Sequence, residues 1–509
     1  MNLVIPNSHF VFNNDVPIPE FTIDDVVNVL KDLDVNKASP PSDISPFLLK
    51  NCRSVLASQL TFIFNRSVSS GTVPLQWKKA NVVPIHKKGK RADVSNYRPV
   101  SLLPCASKVL ERCLFNHLYS FIKRVLYNMQ HGFMKNRSST TQLLKCYDLI
   151  GRILDEGGQV DVIYLDFSKA FDSVSHSLFL FKLEHFYGIS GSLLDWFKDY
   201  LSNRVQRVVV EGEESDWTPV TSGVPQGSIL GPFLFLLFIN DMPRSVSSAF
   251  TALFADDCKI FMPINSNRDS VLLQSDLNEL LKWSTNWGMA FNPSKCKVLT
   301  ITRSHSPVSF NYHLDGNVLE RVCEFRDLGV VFNKNLSFTP HIECIVLKAN
   351  RVSGIIKRTV GYSAPQYVKL RLFTTLVRPI LENCSQVWSP SFKKDIYFIE
   401  STQRSMTKYV LNIFTDEMSY CHRLQALHIL PLSYRREVAD LMFVFKYLKG
   451  FINVDFTDEV SILNNTRTLR SSNTGLLLQN RIVRTETFKA SFFFFKSHLS
   501  SMEYFTCFY

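Results

Sequence analysis

Two acidic clusters, each at the edge of an apolar β-forming segment, constrain this chain more than any other feature. Asp166 directly follows Val162-Ile163-Tyr164-Leu165, inside the stretch YLDFSKAFD (164–172). Asp256 and Asp257 lie between the apolar runs Thr251–Phe254 and Cys258–Met262. These patterns predict a strand at Val160–Leu165 and a hairpin with a tight turn at Ala255-Asp256-Asp257. Carboxylates gathered without a basic partner repel one another, which is costly unless cations neutralise them. Hard oxygen ligands of this kind suit Mg2+, which binds through a few carboxylates and substrate phosphates. Two such ions, roughly 3.5–4 Å apart, stabilise both the attacking and the leaving oxygen of an in-line phosphoryl displacement. An isolated Asp-Asp pair is more simply a polar turn. What surrounds this one decides between the two.

The surroundings are basic. Leu75–Arg137 holds thirteen Lys and Arg against only Asp93 and Glu111, a local +11 in a chain of net charge +12. Such a block suits a polyanionic partner such as nucleic acid, nucleoside triphosphate or anionic lipid, or else a solvated surface. Eleven scattered cysteines, with no CxxC pair or Cys/His cluster, argue against a disulfide framework or zinc site and predict reduced thiols in an intracellular protein. No signal peptide is evident. The longest apolar run, Ile229–Ile239, is interrupted by Gly231-Pro232 and falls short of the roughly 20 residues that span a bilayer, so it is expected in the core, with no membrane partner.

Along the chain, Pro17 and Pro19 mark a flexible lead-in over 1–20, followed by helical periodicity over 21–74. A strand is expected at Ala80–Ile85, helices at Leu178–Phe186 and Leu193–Leu201, and β structure at Gln206–Val210. From about 336 to 450 the pattern is helical and basic, and the tail 451–509 is polar and ends in the run Phe492–Phe495.

The ordered motifs resemble the reverse transcriptase region of non-long-terminal-repeat (LINE-type, jockey-like) retrotransposons. YLDFSKAFD resembles that family's first catalytic motif, SGVPQGSILGP (222–232) its second and FADD (254–257) its third. NYRPVSLLP (96–104) and QHGFMKNRS (130–138) resemble its fingers motifs, and FNPSKCKV (291–298) and FRDLGVVF (325–332) its fourth and fifth. RPILENCSQVWSP (378–390) and the helix around Leu432–Gly450 resemble its C-terminal region. Each piece alone is weak; their order gives the match its weight. The resemblance implies an α+β right-hand polymerase with a ferredoxin-like palm. Fingers are expected at 75–150, the palm at 151–335 and a helical thumb-like region at 336–450, between the 21–74 extension and the 451–509 tail.

The resemblance also implies roles. Asp166, Asp256 and Asp257, with the Phe167 carbonyl, would hold two Mg2+ ions, Mn2+ being the alternative. Phe171 would be the steric gate against a ribose 2′-hydroxyl, with an ordinary buried Phe as the plainer reading. Gln226 and Gly227 would lie against the incoming nucleotide, the glycine permitting close backbone approach. Arg98 would clamp the triphosphate through its planar fork, with Lys87 and Lys88 as phosphate neighbours. Lys295 would protonate the leaving pyrophosphate. Gln130 and Arg137 would touch template backbone, or simply be polar surface, and Phe325, Leu328 and Gly329 would belong to a primer grip. Asp172 is expected to cap the turn after the first motif, and Trp196, Trp283, Trp287 and Trp388 to be packed rather than stacked on bases.

The implied partners are an RNA template, a DNA primer and deoxynucleoside triphosphates, in cytoplasm and nucleus. An RNA-dependent RNA polymerase fits less well, because it usually carries Gly-Asp-Asp in its third motif. A group II intron maturase shares the palm but not the C-terminal blocks. A decayed copy that binds RNA without catalysis is the third alternative. Only about 20 residues precede the first matching block, fewer than the ~50 a domain needs, which leaves a truncated copy, a gene-model fragment or a polymerase supplied with nicked DNA by a separate endonuclease as the open readings.

Overall fold

The computed structural model describes residues 16–40, 43–415 and 418–456, with the backbone alone of 462–463 and 477–478. Two sheets organise it. β1 (Lys79–His86) and β2 (Tyr97–Leu102) form an antiparallel hairpin in which Ile85 faces Arg98 and His86 faces Tyr97. The chain then leaves for the second sheet with β3 (Gln159–Leu165) and returns with β4 (Arg204–Val210), which pairs parallel with β1. Short β5 (Glu213–Glu214) and β6 (Thr218–Val220) pair with β4 and finish this outer sheet.

The second sheet is built on β3, all seven residues of which are buried. β7 (Phe250–Phe254), β8 (Asp257–Pro263) and β9 (Lys297–Thr302) join it in the order β9-β3-β8-β7, every pairing antiparallel. That order and direction, with helices between β3 and β7 and between β8 and β9, is the βαββαβ ferredoxin-like arrangement. A small ladder of β10 (His313–Leu314) and β11 (Asn317–Val318) leads to β12 (Glu320–Val322), which adds parallel to β9. β13 (Glu324–Asp327) and β14 (Val330–Asn333) then form a separate antiparallel hairpin. The one acid inside β3, Asp161, is fully buried yet satisfied by Thr300 Oγ1 (2.7 Å), Tyr312 Oη (2.9 Å) and Gln159 Nε2 (3.1 Å).

Helices cover both faces of this sheet. On one side lie α6 (His176–His185), α7 (Gly191–Leu201), α8 (Leu230–Ile239) and α9 (Asn267–Asn286), with α4 (Cys105–Ile122) packed on α8. The apolar run at 229–239 is thus a buried core helix, and no described helix is long and apolar enough to cross a membrane. Lys182 of α6 is buried beneath it, its Nζ 2.6 Å from both Asp241 Oδ1 and Phe238 O and 3.7 Å from the Trp287 ring centre. α1 (Ile23–Lys31), α2 (Pro46–Asn51) and α3 (Arg53–Ser69) pack together as an N-terminal layer, α1 against α4 and α3 against α7. On the opposite face, α5 (Ser139–Asp155) sets Leu143, Leu144, Tyr147 and Ile150 against Val160, Val162, Ala252 and Phe261. From α10 (Thr339–Val360) to Leu448 the chain is helical.

Residues 1–15 lie outside the described residues, but the lead-in is not free at its end: Val16 is buried and its N–H donates to Gly188 O at 3.2 Å. A fingers boundary at 150 falls inside α5, a helix whose apolar side covers the palm sheet. The Phe492–Phe495 run lies outside the described residues.

Glu111 ties the outer elements to the second sheet's helical layer. This side chain on α4 is 1% exposed and accepts from the N–H groups of Ile229 and Leu230 at 2.7 and 3.2 Å, at the start of α8, and from Tyr200 Oη at 3.1 Å. Burial raises its pKa, opposed by those bonds and by Arg204. Glu111→Ala strands three donors and is expected to cost about 3 kcal/mol in urea denaturation, with Glu111→Gln costing less. A loss below about 0.5 kcal/mol for Glu111→Ala, within the range of an ordinary surface change, would remove Glu111 from this role.

Candidate active site

The register of three strands decides where the acids go. β3 pairs with β8 so that Tyr164 faces Lys259 and Leu165 faces Cys258; one step further, Asp166 comes opposite Asp257. On β8's other side the β7–β8 hairpin closes with Phe254 facing Asp257, leaving Ala255 and Asp256 as its two-residue turn. Adjacent strands run about 4.8 Å apart, so residues remote in sequence meet at one sheet end. Ala255 has φ +55, which a non-glycine residue adopts only when its surroundings hold it there.

The carboxylates feel one another. Desolvation in the cleft raises the Asp256 pKa, with the charge of Asp166 adding to it and those of Arg98 and Lys87 opposing it. Asp257 is pushed up to about 6, by desolvation first and then by Asp256, Asp327 and Asp166. Among the described residues no three His, Cys, Asp or Glu side chains are drawn closely enough to enclose an ion as they stand. Lys295 Nζ instead sits 3.2 Å from Asp166 Oδ1. The donor chemistry nevertheless fits a hard cation: three carboxylates only partly balanced by Lys295, Arg98 and Lys87, beside one free carbonyl. The two bonds flanking the Phe167–Phe291 bridge run from Ser168 N–H to Ala290 O and from Asn292 N–H to Asp166 O, so neither uses the Phe167 carbonyl.

The other candidate residues surround this sheet end to different degrees. The β1–β2 hairpin brings Lys87 and Arg98 close enough for their charge to act on Asp256. Phe325, Arg326, Asp327 and Leu328 line a cavity of about 110 Å³ together with Asp166, Asp257 and Lys295. Leu328 and Gly329, with φ +45 and +94, form the two-residue turn of the β13–β14 hairpin, and the Phe325 ring stacks on Tyr164 at 3.8 Å. Asp327 is ion-paired to the buried Lys259 of β8, a link that sequence reasoning missed. The available signal was the period of two: Asp257 and Lys259 share one face of β8. Gln142 was missed as well; it lines the cavity with a buried Nε2 that has no hydrogen-bond partner.

Phe171 is half-buried, its ring stacked on Phe235 at 4.4 Å and edge-on to Phe133 at 6.1 Å. Asp172 does more than close a turn: its Oδ1 accepts from Gln226 Nε2 at 3.0 Å. Gln226 is also held from behind, its carbonyl accepting from Ser101 N–H at 2.6 Å. Gly227 needs its glycine for this contact, since φ is +126 and a Cβ would stand 2.3 Å from Ser101 O. The close approach is therefore to β2.

One assignment is corrected and one is narrowed. Gln130 is 3% exposed and cannot reach a template; its Oε1 accepts from the N–H groups of Gly132 and Ala255 at 2.8 and 2.9 Å. Arg137 spends its guanidinium on backbone, with Nε donating to Asn453 O at 2.8 Å and Nη1 to Asn128 O and Gln130 O at 2.5 and 2.9 Å. The Gln130 side chain therefore forms no nucleic-acid surface, and Arg137 stays half-buried with these donors committed. Trp196, Trp283, Trp287 and Trp388 are all buried, as expected.

With this geometry in place, comparison with known proteins is direct. Residues 85–332, which contain both acidic segments, match the family described as reverse transcriptase (RNA-dependent DNA polymerase). That segment is similar to a reverse transcriptase domain. Over 414 residues it is 28% identical to the RNA-directed DNA polymerase from mobile element jockey of Drosophila melanogaster, a match covering 77% of this chain and 44% of that protein. It is 26% identical over 407 residues to the probable RNA-directed DNA polymerase from transposon BS of the same fly, covering 76% and 44%. Identity is also 26% over 411 residues to that of transposon X-element, covering 78% and 44%. The chain thus spans less than half the length of these curated relatives. Reverse transcriptases use divalent metal ions, in keeping with the charge imbalance at Asp256 and Asp257.

That imbalance has a cost in the folded chain without metal. Asp257 keeps its proton up to about pH 6 when folded but only to about 3.8 when unfolded, so this group's contribution to stability falls as pH rises through that window. Asp257→Asn is therefore expected to be more stable than the parent at pH 7.5 in chelator, by about 1 kcal/mol after solvent screening. The gap should close below about pH 4, and added Mg2+ should raise the parent's melting temperature more than the variant's. A parent that is equally stable in chelator at pH 7.5 would contradict this electrostatic account.

Proposed function

We propose that this chain is an RNA-directed DNA polymerase of a non-long-terminal-repeat retrotransposon, extending a DNA primer on an RNA template with deoxynucleoside triphosphates. The observation that carries the reading is the β3–β8 register, which puts Asp166 and the Asp256-Asp257 turn at one sheet end between two hairpins. The relatives above are polymerases of mobile elements, which favours this reading over an intron maturase.

In this reading Asp166, Asp256, Asp257 and the Phe167 carbonyl hold two Mg2+ ions, or Mn2+, which supply charge neutralisation at the transferring phosphoryl group. The chain's own side chains do the rest. Lys87 and Arg98 bind the triphosphate from the β1–β2 hairpin, Arg98 through a bidentate contact. Gln226, fixed by Asp172 and Ser101, forms the nucleotide's bed, while Gly227 lets that segment lie on β2. The Phe171 ring, braced by Phe235, excludes a 2′-hydroxyl. Lys295 donates a proton to the leaving pyrophosphate. Phe325, Leu328 and Gly329 support the primer end.

Primer extension on an RNA template with Mg2+ tests the reading. Asp256→Asn and Asp257→Asn are each expected to lower extension at least ~10³-fold, a few kcal/mol of transition-state charge stabilisation, while template–primer affinity changes little. Extension at parental rate by either variant would overturn the metal assignment. Binding of RNA without extension by the unsubstituted chain would instead identify an inactive derivative. Phe171→Val is expected to raise ribonucleotide incorporation; unchanged sugar selection would leave that ring a packing residue.

A further inference from the structure

We propose that Gln130 is a positioning residue for Asp256, fixing the strained turn on which that carboxylate stands. The segment around it makes a single β-bridge to the hairpin bearing Asp256. Leu253 N–H donates to Met129 O at 3.0 Å and His131 N–H to Leu253 O at 2.9 Å, a parallel bridge between Gln130 and Leu253. This brings the buried Gln130 side chain to the turn itself, where Oε1 accepts from the Ala255 N–H at 2.9 Å. The same oxygen accepts from Gly132 N–H at 2.8 Å, which orients the amide. His131 anchors the segment behind it, its Nδ1 2.8 Å from Thr141 Oγ1 on α5.

The turn needs such a clamp. Ala255 is buried with φ +55, a conformation costing an alanine free energy that something else must offset. Gly132 shows how closely the clamp is seated: a Cβ there would stand 2.2 Å from Ala255 N. Asp256 is the next residue, so an error in the turn moves its carboxylate directly relative to Asp166. Only the oxygen of the Gln130 amide is used; its Nε2 has no hydrogen-bond partner. A glutamate held neutral by burial can therefore replace it, and an isosteric apolar side chain cannot.

The inference rests on the reading of Asp256 as a metal ligand, and its test separates the two. Mn2+ binding to the full chain is measured by calorimetry, alongside kcat and KM for deoxynucleotide incorporation and hydrogen exchange at the Ala255 amide. Gln130→Met is expected to weaken Mn2+ binding and lower kcat by roughly tenfold or more, the usual consequence of losing a residue that orients a ligand. The nucleotide KM should stay within about twofold, and the Ala255 amide should exchange faster. Gln130→Glu should restore binding, kcat and slow exchange to within about threefold, as one retained acceptor implies. Gly132→Ala, which presses a methyl on the same amide, carries the test if Gln130→Met does not fold. Native Mn2+ affinity and kcat in Gln130→Met, or no rescue by Gln130→Glu, would overturn the inference. A change in KM alone would do so as well. Absence of Mn2+ binding by the unsubstituted chain would instead overturn the metal reading beneath it.

Discussion

Like charge is what this fold is arranged to contain. Three carboxylates at one end of a sheet repel, and nothing in their own side chains brings them together. The backbone does so. Each hydrogen bond between β3 and β8 is worth little alone, but the full ladder from Val160–Pro263 to Leu165–Cys258 fixes the strands in one register. A slip of one residue would turn β3's wholly buried side chains onto the wrong faces of two cores. The hydrophobic burial of that strand is therefore the force that holds the acids in place, with Lys295 taking up part of the charge at Asp166.

The outer sheet is joined to this centre at a few polar points of high consequence. Glu111 bonds to the start of α8, and Gln226 and Gly227 lie against Ser101. Both connections are backbone-directed and buried or tightly seated, so they specify position in a way that apolar contact alone does not. They align the hairpin bearing Lys87 and Arg98 with Asp256, whose pKa registers both cations.

Much of this was legible in the sequence because strands and acids announce themselves together. VIYL before Asp166 and the apolar runs flanking Asp256-Asp257 gave strand, hairpin and site from one pattern, and β3, β7 and β8 lie within a residue or two of the predicted spans. The all-apolar 229–239 segment was legible as core for the same reason. Gln130 was not read correctly, and Arg137 and Gly227 only in part. A Gln or Arg in a polar motif has the same sequence appearance whether it meets solvent, a phosphate or a backbone carbonyl, and only the fold shows Gln130 buried against Ala255. Gly227 signalled a close approach correctly but not its partner, since a glycine carries no mark of what it lies against. The Lys259–Asp327 pair joins distant segments, and its local trace, the shared face of Asp257 and Lys259 on β8, does not name the partner.

That last pair couples two parts of the molecule mechanically. The β13–β14 hairpin belongs to neither sheet, yet a buried cation on the strand bearing Asp257 grips it just before its tip. The spacing between that tip and the acids is thus set inside one rigid unit. The helices beyond Thr339 share a core with this hairpin, with Val331 N–H donating to His341 Nδ1 at 3.2 Å, so the hairpin is held from both sides.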